Sequence, residues 1–180
     1  MHLLLPWHLL AQPDGWEPVI TRSTPAGPVH VERRTIDGSW CLRATGHSSA
    51  TPQRLLDVAW DIPDVPRWSS NPLLVSEVLS AGQDHQVFWQ HLDVPTWTLV
   101  HDRYWVLEAH ALRHGEVRGY RWARVEADTA WPEVVARARA VDAGALQPPV
   151  MWGEWIFEPE GEADRKSTRL NSSHLVISYA

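Results

Sequence analysis

Cysteine is almost absent. Cys41 is the one thiol in 180 residues, so no internal disulfide can form and no redox compartment is indicated. Flanked by Trp40 and Leu42, it reads as a small buried hydrophobe. Lysine is as scarce: Lys166 is the only one. No run of about 18 apolar residues occurs, so there is no candidate transmembrane helix. Basic charge is in deficit, with 16 Lys and Arg against 22 Asp and Glu and a net charge of −6. No basic stripe is present either, which argues against a nucleic-acid partner. A Gly-rich phosphate loop and a His-Glu-x-x-His motif are both missing. Phenylalanine occurs twice, whereas tryptophan occurs twelve times. Such a bias fits a Trp-heavy core or a broad aromatic cavity for an apolar ligand.

The most informative stretch is 84–109, which reads as two long strands joined at Val94-Pro95-Thr96. Val87, Trp89 and His91 alternate with Phe88, Gln90 and Leu92, the period of a pleated strand. The run 98–109 is rich in Val, Tyr, Trp and Leu and contains no Gly or Pro. Asp102 and Arg103 sit beside Tyr104-Trp105-Val106, and charges among aromatics need partners. One reading is an ion pair tying adjacent strands; the other turns Arg103 toward a ligand. Neighbouring strand residues point to opposite faces, so at most one of the two faces a cavity.

Before this stretch, 16–23, 29–36 and 40–44 read as strands, with Asp37-Gly38 as a hairpin turn. Thr51-Pro52 opens a helix, Thr as N-cap and Pro at the first helical position. Leu55, Leu56, Ala59 and Trp60 form its buried face. A short turn or helix at 65–68 and a strand at 73–79 follow. After the central pair come a turn at Gly115, a strand at 117–125, a short helix at 133–141 and a last strand at 151–157. In the 117–125 strand, Tyr120 and Trp122 share a face. Strands in succession, with few helices, give an α+β fold of antiparallel strands.

Asp102-Arg103, Trp105 and Val106 resemble the Asp-Arg-Asp-(Phe/Tyr)-Val signature of START lipid-transfer domains, in the helix-grip superfamily. Tyr104 stands in place of the second Asp, and Thr96-Trp97-Thr98 replaces a second Pro. Gly153-Glu154-Trp155-Ile156-Phe157-Glu158-Pro159 resembles the family's Gly-x-Trp-x-(Leu/Ile)-x-Pro strand. The resemblance covers 16–162. It implies a helix-grip fold, with a curved antiparallel β-sheet around an apolar cavity. It also implies non-covalent binding or transfer of a lipid or other apolar small molecule, with no reaction and no cofactor. The expected ligand-binding residues are Phe88, Gln90, Leu92, Arg103, Trp105, Leu107, Tyr120, Trp122 and Trp155. A monomer with transient membrane contact is the expected state. Ala109 stands where sterol-carrying members have a second Arg, which counts against a cavity ion pair and a sterol preference.

Composition changes at residue 164. Residues 164–180 resemble a translated sequencing adapter; they hold the only lysine, two of 15 arginines, four of twelve serines and no tryptophan. The expected organisation is therefore a leader or truncated signal remnant at 1–15, an incomplete domain at 16–163 and a non-native tail at 164–180. The long C-terminal helix that closes START cavities is expected to be missing. Residues 3–10 are apolar but short, and no positive charge precedes them. Export, or a periplasmic location, is expected if 1–11 is a signal remnant, and a cytoplasmic one otherwise.

Three other chemistries are weaker. Gly46-His47-Ser48-Ser49-Ala50 resembles a nucleophile elbow, but Ala50 replaces its final Gly and no parallel sheet is expected. His110 and His114 have a zinc spacing only on a helix, whereas 109–115 reads as a strand end and turn. No third ligand lies nearby in sequence, and no metal is expected. The alternative function is a polyketide cyclase or aromatase-like enzyme of the same superfamily. That would need an acid/base group in the pocket, with His91, His101 and Tyr104 as the candidates.

Overall fold

A computed structural model describes residues 15–36, 38–159 and 168–173, the last six by their backbone. Nine strands form one sheet: β1 (Glu17–Thr24), β2 (Gly27–Ile36), β3 (Ser39–Ser48), β4 (Leu73–Ala81), β5 (His85–Leu92), β6 (Arg103–His114), β7 (Val117–Arg124), β8 (Trp152–Pro159) and β9 (Thr168–Ser173). Their spatial order is β1-β2-β3-β9-β8-β7-β6-β5-β4. Every ladder between named strands is antiparallel. The helices are α1 (Pro52–Trp60), α2 (Val65–Trp68), α3 (Ala127–Ala130) and α4 (Pro132–Val141). The architecture is α+β with a helix-grip layout.

Both edge strands carry irregularities, β1 between Pro18 and Ile20 and β4 at two places. Bulges of this kind bend and twist a strand, which curves the sheet and protects its edges from pairing. At Gly119 on β7 an added Cβ would collide with the Trp155 carbonyl of β8, so the close approach of these strands requires glycine.

Helix α1 starts as its sequence dictates. Thr51 is extended and its hydroxyl accepts the Arg54 N–H at 3.3 Å, with Pro52 in the first turn. Leu56 and Ala59 are buried, and Leu55 and Trp60 pack beside them. These residues cover one sheet face together with Phe88, Leu107, Ala109, Tyr120 and Phe157. The opposite face of β5 and β6 has its own core. There Val134, Val135 and Ala138 of α4 cover Val87, Trp89, Tyr104 and Val106. Fully burying a side chain of this size stabilises by about 1.5–3 kcal/mol.

Two expectations change. The second central strand starts at Arg103, not Thr98. Residues 93–102 form a loop with a 3-10 turn at Thr96–Thr98, and Leu99 takes a positive φ of 58°. The local bonds of that loop outweigh its β-prone composition: Thr98 N–H donates to the Pro95 carbonyl and Val94 N–H to the Asp102 carboxylate. The strand at Trp152–Pro159 is not the last, because β9 pairs with both β3 and β8. Main-chain groups make those ladders, so the slot takes a strand whatever side chains it carries. Gly46, His47 and Ser48 lie in β3, and the fully antiparallel ladders are not the parallel sheet a nucleophile elbow needs. Of the 1–15 leader only Gly15 is described, and of the 164–180 segment only 168–173; a closing helix beyond 173 falls outside the described residues.

Candidate functional site

Residues directly paired across antiparallel strands share a face. Phe88 pairs with Leu107, Gln90 with Trp105 and Leu92 with Arg103. Ala109 pairs with Trp122, Ala111 with Tyr120, and Tyr120 in turn with Trp155. Period two links these pairs along each strand, so all nine expected residues lie on one face. It is the face that α1 covers.

Aromatic rings dominate it. Tyr120 meets Trp60 edge-on at 5.3 Å and Trp122 at 5.3 Å, and Trp155 stacks on Phe157 at 6.1 Å. Burial raises the Tyr120 phenol far above its usual pKa, so it stays neutral. The indole N–H groups of Trp105 and Trp122 are buried and have no hydrogen-bond partner. A buried donor without a partner costs about 1–3 kcal/mol, and an acceptor on a ligand would remove that cost. Gln90 instead donates to Ser76 Oγ at 3.0 Å, and Arg103 donates to the His101 carbonyl at 2.6 Å. Both sit on this face with their polar ends tied to the scaffold.

Several residues of the face escaped the sequence reading. Trp60 has the spacing of the buried face of α1, and its ring also meets Tyr120. Phe157 and Arg124 continue the period-two series from Trp155 and Trp122, a signal already present in the sequence. Arg124 is held by Glu126, whose carboxyl it keeps below the usual range.

The acid/base candidates lie elsewhere. His91 is fully buried on the opposite face, and its Nε2 is 2.8 Å from Asp102. Asp102 therefore partners His91 rather than Arg103. Tyr104 shares that face, and burial raises its pKa, with the Asp128 charge adding to the shift. His101 is exposed on the loop, 3.1 Å from Asp142. Backbone N–H groups of Asp102 and Gly144 donate to Asp142 and hold its carboxyl below the usual range. A depression of about 150 Å³ lined by Gly15, Glu17, Arg33, Arg34, Thr35 and Trp40 contains none of the nine residues. It is also smaller than the roughly 300–1,000 Å³ of typical ligand pockets.

Solved structures share this arrangement of sheet and helices. A STAR-related lipid transfer protein from Xanthomonas axonopodis superposes with a TM-score of 0.70 at 18% identity, over 92% of this chain and 83% of that one. The chain has the START fold. Human StAR-related lipid transfer protein 5 gives 0.69 at 16% identity, over 96% and 78% of the two chains. Human STARD10 gives 0.67 at 14%, over 89% of this chain and 60% of that protein. No family model and no curated protein matches the sequence. The START likeness therefore lives in the backbone arrangement, together with the two short motifs at 102–106 and on β8.

Proposed function

We propose that this chain binds a lipid or another apolar small molecule non-covalently against the α1 face of its sheet. The observation that carries the reading is the continuous aromatic face of Phe88, Trp105, Tyr120, Trp122 and Trp155, with two unpartnered indole donors. The proteins of like fold named above as lipid transfer proteins support it. Each buried methylene is worth about 0.8 kcal/mol, so an acyl chain is held without a charged contact. The indole donors add a preference for a ligand with an acceptor oxygen near its apolar body. Phe88, Gln90, Leu92, Arg103, Trp105, Leu107, Tyr120, Trp122 and Trp155 are the proposed ligand-facing set.

Binding rather than turnover is the activity. His91 and Tyr104 face α4, and His101 lies on an exposed loop, so none of the three supplies an acid or base to this face. The working state is a monomer that touches membranes transiently. Trp97, Leu99 and Val100 project from the β5–β6 loop, with Trp97 82% and Leu99 94% exposed. Tryptophan and apolar side chains of that kind partition to a bilayer interface.

Native mass spectrometry of protein purified without detergent tests the reading. A one-to-one adduct that extracts into organic solvent is expected. Ligand-free protein that also takes up no lipid from vesicles would contradict it.

A further inference from the structure

On the face opposite the candidate lipid site, three side chains converge that the lipid reading does not use. His85 on β5 is directly paired with His110 on β6, and Glu108 stands two residues from His110 on the same face. The His85 Nε2 lies 3.0 Å from Glu108 Oε1, and the His110 Nε2 lies 3.6 Å from the same oxygen. The two imidazole rings are 4.9 Å apart. One ligand atom from each residue falls within 4.8 Å of the other two.

We propose that His85, Glu108 and His110 bind a divalent first-row transition-metal ion of the zinc class. The chemistry favours it in three ways. Two imidazoles and a carboxylate form a nitrogen–oxygen donor set suited to zinc and its neighbours. Bonds of about 2.0–2.2 Å in tetrahedral geometry set ligand atoms about 3.3–3.5 Å apart, and the two histidine-to-carboxylate separations of 3.0 and 3.6 Å bracket that range. A hydrogen bond satisfies only one of the two rings: His110 lies beyond hydrogen-bond range of the oxygen that His85 engages. An ion between the three would accept a lone pair from each ring.

Side-chain exposures of 38% for His85, 35% for Glu108 and 51% for His110 leave room for an ion and completing waters. The ladder between β5 and β6 holds both histidine backbones in register, so little ordering remains to be done on binding. Arg121 stands opposite His110, and Glu154 opposite Arg121, so this neighbouring pair adds no formal net charge. The third donor comes from the adjacent strand, which no spacing along the chain could show. His114, four residues beyond His110, is not a member.

The test is titration of the 180-residue chain with Co²⁺, read by visible absorption, then displaced by Zn²⁺. One ion per chain with nitrogen–oxygen coordination bands is expected. His85→Gln, Glu108→Gln and His110→Gln should each weaken binding by more than about 10-fold, the scale on which even outer-shell partners of a metal matter. His114→Gln should leave it unchanged. Circular dichroism of each variant establishes that it is folded. No saturable one-ion binding by the parent chain, or equal affinity in folded His85→Gln and Glu108→Gln, would overturn the proposal. Neither result bears on lipid binding at the other face.

Discussion

Asp102→Ala is expected to destabilise the fold by about 1–3 kcal/mol for each buried group that it leaves without its partner. Asp102 is 8% exposed and His91 is fully buried. One carboxylate oxygen lies 2.8 Å from His91 Nε2 and the other accepts the Val94 N–H at 2.9 Å. The same residue's own N–H donates to Asp142 at 2.8 Å. The side chain therefore ties β5 to the β5–β6 loop, and the backbone N–H of the same residue, which the substitution keeps, ties that loop to the segment after α4. His91 Nδ1 already lacks a partner, so loss of the carboxylate strands the whole ring. Urea denaturation of the variant should show a much lower midpoint with an unchanged slope. Asp102→Asn keeps the acceptor oxygen and should lose less. A midpoint for Asp102→Ala close to that of the parent chain would mean that the pair holds nothing together.

Trp105→Ala is expected to weaken retention of an apolar ligand by about 10- to 100-fold, since burying one large side chain is worth about 1.5–3 kcal/mol. Trp105 lies at the middle of the aromatic face, paired with Gln90, and packs on the α1-side core without being fully buried itself. A core tryptophan costs about 3–5 kcal/mol of stability when truncated, so fold loss is the competing outcome. Ligand affinity and ligand-free melting temperature, measured together, separate the two. Weaker binding with a modest shift in melting places the ring against ligand. Trp105→Phe refines the result. It keeps an aromatic ring but removes the indole donor, so affinity for a ligand with an acceptor oxygen should fall while affinity for a plain hydrocarbon should not. Unchanged affinity in a folded Trp105→Ala protein would remove this residue from the site.

Much of the candidate face was legible because strands have period two. Once Phe88, Gln90 and Leu92 alternate with Trp89 and His91, and Trp105 alternates with Val106, each set must share a side. The Thr51-Pro52 signal likewise placed the start of α1 correctly. Other features depended on the register between strands, which no single strand encodes. Pairing of His85 with His110 brings Glu108 within reach, although 23 residues separate it from His85. The partner of Asp102 was not legible for the same reason, since His91 meets it across the β5–β6 loop. Residues 98–102 look like strand by composition, and the side-chain bonds of Thr98 and Asp102 made a loop of them. Trp89 and Phe88 looked alike in sequence. Only the packing of α4 assigns Trp89 to the structural core, where Arg137 lies over its ring at 4.7 Å.

Photo-crosslinking locates the bound lipid on the sheet. The chain would be loaded with a lipid carrying a diazirine in its acyl chain, irradiated, digested and mapped by mass spectrometry. Labels are expected on the α1 face of the sheet, at Phe88, Trp105, Leu107, Tyr120, Trp122 and Trp155. Labels confined to the α4 side, at Trp89, Val106 or Val134, or to the exposed Trp97–Val100 loop alone, would contradict it.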